Sequence, residues 1–310
     1  MLFKASAPGS LMLLGEYAVL YGKYALVCAV DRRITVTLTP RSDQEIEINS
    51  SLGNLTTDLS KLTITPPFQF VTATLKKFRQ QMPSGCHILI EADFSDQVGL
   101  GSSAAVTTAL LATLTNWFGQ PLTAPDMVRQ VRAIIRQVQG VGSGADAAAS
   151  VLGGMVAYKA APFYTEKLTG NCSLTAAYAG YKTPTVQAIK RVTDLFATQP
   201  RVFQKICQAI DECAVQGIAA VRKMDWQALG KIMNMQQGLL DALDINTPEL
   251  LESIVQLRAQ TSIFGAKISG SGLGDCVVGL GVAAGVTFKD EKIKLIPLPM
   301  ATQGVISEKI

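Results

Sequence analysis

Residues 97–108, QVGLGSSAAVTT, set two glycines and two serines directly before an alanine-rich run with the pattern of a helix. Glycine lets a loop approach a ligand closely, and the amides that open a helix point outward with the helix dipole behind them, which favours a phosphate. Gly99, Leu100, Gly101, Ser102, Ser103 and Ala104 therefore form a candidate phosphate cradle. No Gly-Lys-Ser/Thr follows, so the segment is not a Walker A loop, and it lacks the GxGxxG spacing of dinucleotide sites. A glycine- and serine-rich turn is also an ordinary way to begin a helix, and alone it leaves that reading open. Two more glycine-rich stretches lie against apolar segments: SAPGSLMLLGEYAVLYG, Ser6–Gly22, and GAKISGSGLGDCVVG, Gly265–Gly279.

The elements that must position these loops are legible from periodicity. YALVCAVDRRITVTLTP, EIEIN and HILIEADF are rich in β-branched residues and alternate, so a sheet dominates the first part of the chain. Helical spacing follows over Ser102–Trp117 and Ala124–Val138, the second with Met127, Val128, Val131, Ile134 and Ile135 on one face. From Lys159 to Ser173 the patterning is lost in KAAPFYTEKLTGNCS, which predicts a connection between two lobes, divided as 1–162 and 163–310. The second lobe reads as helix-rich, with helices over Thr185–Thr198, Arg201–Met224, Asp225–Leu243 and Pro248–Gln260. Thr247 with Pro248 supplies an N-cap and a first-position proline for the last of these. Strands return near GAKISG, DCVVGLG and KIKLIPL, and no internal repeat is present.

Composition excludes several classes of function. A chain of 310 residues with 48% hydrophobic and 17% charged residues has enough apolar material for large cores, which rules out a disordered chain. No apolar run reaches the roughly 18 residues that span a bilayer, and the first residues lack a signal-peptide pattern, so the expected compartment is the cytoplasm with no membrane partner. The net charge of +4 is small and its basic residues are dispersed, which argues against nucleic acid and is compatible with a small anionic substrate. Six cysteines are scattered without a CxxC pair, predicting neither disulfides nor zinc. The one histidine, His87, lies in an alternating strand-like segment, so chemistry built on a histidine base is not expected.

The three glycine-rich stretches, in this order and position, resemble the three motifs of the GHMP kinase superfamily, and the likeness covers essentially the whole chain. APGSLMLLGEYAVLYG is similar to the opening of its mevalonate-pathway branch, and GSGADAAASVLGG, residues 142–154, to the segment that carries the catalytic aspartate, here Asp146. The resemblance implies an α+β, two-lobed fold. The N-terminal lobe would be like domain 2 of ribosomal protein S5, and the C-terminal lobe ferredoxin-like and helix-rich. It further implies ATP and Mg²⁺ as cofactors and mevalonate as the favoured acceptor, to which the compact chain and VLYG lean. The alternative is 5-phosphomevalonate, whose kinases VGSGAD, Asp275-Cys276 and Tyr17 resemble more. A carboxylate in hydrogen-bond reach of a substrate hydroxyl can orient it and accept its proton, the role implied for Asp146; the alternative is that Asp146 caps its helix. Ser102 or Ser103 would offer a hydroxyl to the metal or a phosphate, unless they only cap. Ser269, Gly270, Ser271 and Gly272 would fold over the phosphates, unless they form a plain turn. Glu16 and Tyr17 would face the acceptor, with turn anchoring and packing as their alternatives.

The sequence departs from that family pattern at two places. Ser10 stands where a lysine is common, and Ile135 stands about where mevalonate kinases carry a metal-binding glutamate. Another cation is then expected near Asp146: Lys4, Lys23 and Lys182 are candidates, each otherwise a solvated surface lysine. Lys182, in AGYKTPT, lies in a segment that resembles the substrate-side loop. A phosphorylated acceptor would need further cations, for which Arg32, Arg33, Lys182 and Arg191 are available. A nucleotide-binding relative without catalysis remains an alternative, and a homodimer stays open.

Overall fold

The computed structural model describes residues 1–95 and 98–310; Gln97, at the start of the first glycine-rich stretch, lies outside the described residues with Asp96. The chain begins with β1 (Phe3–Leu14), β2 (Ala25–Pro40), the β3 (Glu45–Ser50) and β4 (Gly53–Asp58) hairpin, α1 (Gln69–Phe78) and β5 (Cys86–Ala92). It continues through α2 (Ser102–Trp117), α3 (Ala124–Gln139), α4 (Ala145–Leu152), β6 (Met155–Ala160), β7 (Phe163–Leu168) and β8 (Ser173–Tyr178). The helices α5 (Thr185–Leu195), α6 (Pro200–Arg222), α7 (Trp226–Asp241) and α8 (Pro248–Arg258) follow. β9 (Ile263–Ser269), β10 (Cys276–Gly281), β11 (Lys294–Pro299) and β12 (Ile306–Lys309) complete the order.

Two sheets result, the mixed α and β two-lobed arrangement that the sequence predicts. The first runs β12-β1-β2-β5-β3-β4, with β6 pairing β2 and β7 pairing β6; the second is antiparallel, in the order β11-β8-β10-β9. In β2 the inward positions Ile34, Val36 and Leu38 alternate with half-exposed ones, the signature of a sheet with one covered face. α2 is apolar on all sides because it is buried between the sheet and the helices α1, α3 and α4. Three of its threonines satisfy their hydroxyls on the helix itself, Thr107 donating to Ser103 O at 2.7 Å, Thr113 to Ala109 O at 2.9 Å and Thr115 to Ala112 O at 3.2 Å, whereas the buried Thr108 hydroxyl has no partner among the described residues. The lobes also share a core: Leu11, Leu26 and Cys28 of the first sheet pack in one cluster with Ala214 and Val221 of α6, Leu229 and Met233 of α7, and Val278 of β10.

Several local expectations are corrected. Ser6–Leu14, read as part of a glycine-rich loop, is strand β1, and the loop proper is confined to residues 15–17. The unpatterned stretch 159–173 contains β7, an edge strand whose residues are mostly half-exposed, so neither face imposes an alternating pattern. A division at 162/163 would therefore pass through the β6–β7 hairpin. By sheet membership the change comes at 169–172, with 306–309 returning to the first sheet. Helix α1 went unpredicted, although Val71, Leu75 and Phe78 bury one of its faces. Thr247 caps α8 through Leu250 N–H with Pro248 following, as predicted. Among the described residues no helix is long and apolar enough to cross a membrane.

Candidate active site

The three glycine-rich segments converge on an open cleft between the lobes. The first sheet supplies Ser10 and Met12 from β1, the second lobe supplies Ser269 to Ser271, and the floor is formed by the starts of α2 and α4. A second, wider cavity lies on the side of α1 and β5, and the two share Ser102, Ser103, Gln139 and Lys182. The geometry is thus two compartments meeting at the N-terminus of α2.

Asp146 sits in the first turn of α4, where the helix dipole favours a carboxylate. It does not cap the helix: Gly144 is the N-cap, and the Asp146 side chain turns instead to Ser10, whose hydroxyl donates to Asp146 Oδ1 at 2.7 Å. Burial raises the Asp146 pKa; the Ser10 hydrogen bond and the charge of Lys182 pull it back. Ser10 in turn is held by its N–H donating to Leu100 O at 2.9 Å, which ties β1 to the glycine loop.

That loop is as bare as it is because of what lies against it. Gly101 has φ +67°, and a Cβ there would collide with Ser10 Oγ; a Cβ on Gly99 would occupy the place of the Asp275 carboxylate. Leu100 is buried in the shared core, with its side chain turned away from the cleft. Gly101 is the N-cap of α2 and neither Ser102 nor Ser103 caps it, so both hydroxyls line the cleft unused for capping. Ala104 closes the first turn, its N–H donating to Gly101 O at 3.0 Å. Gly101→Ala is expected to cost about 1–2 kcal/mol of stability from the left-handed backbone. By displacing Ser10 it should also cut turnover at least ~10-fold. Urea unfolding and steady-state rates on the same preparation check both effects.

Glu16 and Tyr17 are in the cleft wall, but their polar atoms are engaged within the protein. Glu16 is 1% exposed; Gln236 of α7 donates to its Oε2 at 2.6 Å and Lys267 of β9 forms an ion pair with its Oε1. Lys267 also donates to Ile268 O, and burial lowers its pKa while Glu16 raises it. Tyr17 has φ 60° and donates its hydroxyl to Ser271 O at 2.7 Å, pinning the third glycine-rich loop to the first lobe. Burial, aided by the Glu16 charge, raises its pKa. Ser269 is buried at the end of β9, Gly270 and Ser271 line the cleft, and Gly272 packs against Ile245.

Of the cations considered, Lys182 alone among the described residues lines either compartment at their junction, its Nζ 3.7 Å from Asp275 Oδ2. Lys23 pairs with Asp211 at 3.3 Å, Arg191 with Asp244 at 2.6 Å, and Arg33 donates to Ser6 O and Gly304 O. Lys4 and Arg32 line neither compartment. His87 is bonded to Asn49 in the first sheet, outside the cleft. Ile135 does line the cleft, joined one helical turn on by Gln139. Sequence reasoning missed Lys267, Gln236 and Asp275. The one signal was a lysine in the middle of an otherwise apolar strand segment, GAKIS.

The family model for the GHMP kinases N terminal domain matches residues 69–154, and that for the GHMP kinases C terminal matches residues 218–291, together more than half of the chain. The chain belongs to the GHMP kinase family. As a GHMP kinase it is an ATP-dependent small-molecule kinase. This GHMP kinase is 28% identical over 314 residues to the mevalonate kinase of Saccharolobus solfataricus, covering 99% of each chain. It is 30% identical over 294 residues to the mevalonate kinase of Archaeoglobus fulgidus, covering 94% of each. Among solved structures, a Lin0012 protein from Listeria innocua superposes with a TM-score of 0.86 at 21% identity over the full length of both chains, a likeness of fold.

Proposed function

We propose that this GHMP kinase transfers the γ-phosphoryl group of ATP to mevalonate. The observation that carries the choice of acceptor is charge: among the described residues, Lys182 is the one cationic side chain lining the two compartments. The acceptor compartment is walled by Met12, Val19, Leu20, Val141 and Ile189, apolar groups suited to a small branched chain and poor partners for a second phosphate. The curated relatives of both archaea bear the name mevalonate kinase.

In this reading the nucleotide occupies the compartment beside α1 and β5, with its phosphates at Gly99–Ala104. Asp146 holds the acceptor hydroxyl; as the hydroxyl oxygen bonds to the γ-phosphorus and the bond to the leaving ADP oxygen breaks, the hydroxyl proton passes to Asp146. Ser10 occupies Oδ1 and so leaves Oδ2 for the substrate. Lys182 faces the moving negative charge. Ser269 to Gly272 close over the phosphates, braced by Tyr17. Glu16 shapes the acceptor wall through Lys267 and Gln236.

Mg²⁺ fits as the nucleotide's companion. The hydroxyls of Ser102 and Ser103, free of capping duty, are hard oxygen donors of the kind this ion takes beside substrate phosphates. When bound, it neutralises phosphate oxygens.

The test is ADP formation by the purified protein with Mg²⁺-ATP and, in separate reactions, mevalonate or 5-phosphomevalonate. Turnover is expected on mevalonate. Turnover on 5-phosphomevalonate alone overturns the acceptor, and nucleotide binding without turnover on either leaves a non-catalytic relative.

A further inference from the structure

Asp275 takes no part in the chemistry above, yet it is a carboxylate only 6% exposed at the wall of the cleft. Its backbone is held at φ 70°, with its N–H donating to Tyr181 O at 2.7 Å and its carbonyl accepting from Ala179 N–H at 2.8 Å. This turn aims the side chain at groups from two directions. Lys182 comes from the same lobe at 3.7 Å, and the Gly99 amide of the phosphate loop comes from the other lobe and stabilises the charged carboxylate. No side chain at Gly99 would leave room for it. Oδ1 is buried without a bonded partner.

Lysine is a point charge on a flexible four-carbon stem, and at a junction of two open compartments it needs a restraint to be presented in one place. We propose that Asp275 is a positioning residue that holds Lys182 at the junction and joins it to Gly99, so that the cation faces the phosphate loop before nucleotide arrives. The proposal rests on the reading of Gly99–Ala104 as a phosphate cradle. By itself a buried carboxylate beside that loop repels phosphate. It helps binding only through the lysine, and this gives the test a change of sign.

Nucleotide affinity is to be measured by titration calorimetry with ATP on the full chain, Asp275→Asn, Lys182→Met and the double variant, with melting temperatures recorded for each. Asparagine is at ease in the left-handed region and accepts the Gly99 N–H, so the turn is kept while the ion pair is lost. Asp275→Asn is expected to weaken ATP binding at least ~3-fold when Lys182 is present, and to leave it unchanged or improve it in the Lys182→Met background. An equal loss in both backgrounds, with a lowered melting temperature, shows a merely structural residue and overturns the proposal. Tighter binding by Asp275→Asn alone overturns it as well, because the carboxylate then only opposes the phosphates. A parent protein that binds no adenine nucleotide overturns it together with the phosphate-cradle reading. One that binds ATP but leaves mevalonate unphosphorylated overturns the acceptor alone, and the four affinities still decide the role of Asp275.

Discussion

Asp146→Asn is expected to bind ATP nearly as tightly as the parent protein and to turn over at least about 100-fold more slowly, the scale of a lost general base. The substitution is conservative in shape: the amide oxygen still accepts from Ser10, and Gly144, not Asp146, caps α4, so the helix keeps its start. What disappears is the group proposed to take the proton. Near-normal turnover in the variant would remove Asp146 from the mechanism. The pH dependence gives a second check with a definite sign. A proton acceptor works only when ionised, and burial raises the Asp146 pKa, so the acid limb of the rate profile should begin at a higher pH than an exposed aspartate would give. Lys182 opposes that rise; Lys182→Met should therefore shift the limb further toward neutral pH, visible as kcat against pH.

Lys267→Met is expected to cost about 3–5 kcal/mol of folding stability, the usual consequence of removing one partner of a buried ion pair. Lys267 is 0% exposed and Glu16 1%, and the remaining partner of Glu16 would be the amide of Gln236. The carboxylate would be left in a dry site with one neutral donor, against a Gln236 that must also serve the Gly15 N–H. Because the desolvation of a charge drives the loss, Glu16→Gln combined with Lys267→Met should recover much of it. Chemical denaturation of the single and double variants checks this, and a double variant no more stable than Lys267→Met would show that packing, not charge, is what the pair contributes.

What was legible in the sequence is what is local. The starts of α2 and α4 are built from neighbours in the chain, so the glycine-rich loop before α2 was legible from its own residues and Asp146 from the likeness of residues 142–154 to the family's motif, and both line the cleft. The face of α3 was readable because its period is intrinsic: Met127, Val128, Val131 and Ile134 are all buried. What was illegible depends on partners far away in sequence. Glu16 lines the cleft, but its carboxylate is paired with Lys267, 251 positions on, which no local pattern discloses. Asp275 read as one letter of a glycine-rich loop, and only the fold sets its carboxylate between Lys182 and Gly99. Ser10 looked like a missing charge; in the structure it is a hydroxyl bonded to Asp146, with the cation approaching from the opposite lobe.

The place of β12 bears on how the chain is made. Residues 306–309 come after the strands of the second sheet, yet they pair with Phe3–Ser6 of β1, and Leu2 and Ile310 exchange backbone hydrogen bonds at 2.8 Å. A ribosome therefore delivers the strand that carries Ser10 long before its outer neighbour, with the whole second sheet in between. Until then the amides and carbonyls along one edge of β1 stay open, the kind of edge that recruits stray strands. The first lobe cannot be finished while the second is still being translated, so a nascent or truncated chain ending after β7 should be prone to aggregate where the whole chain is not.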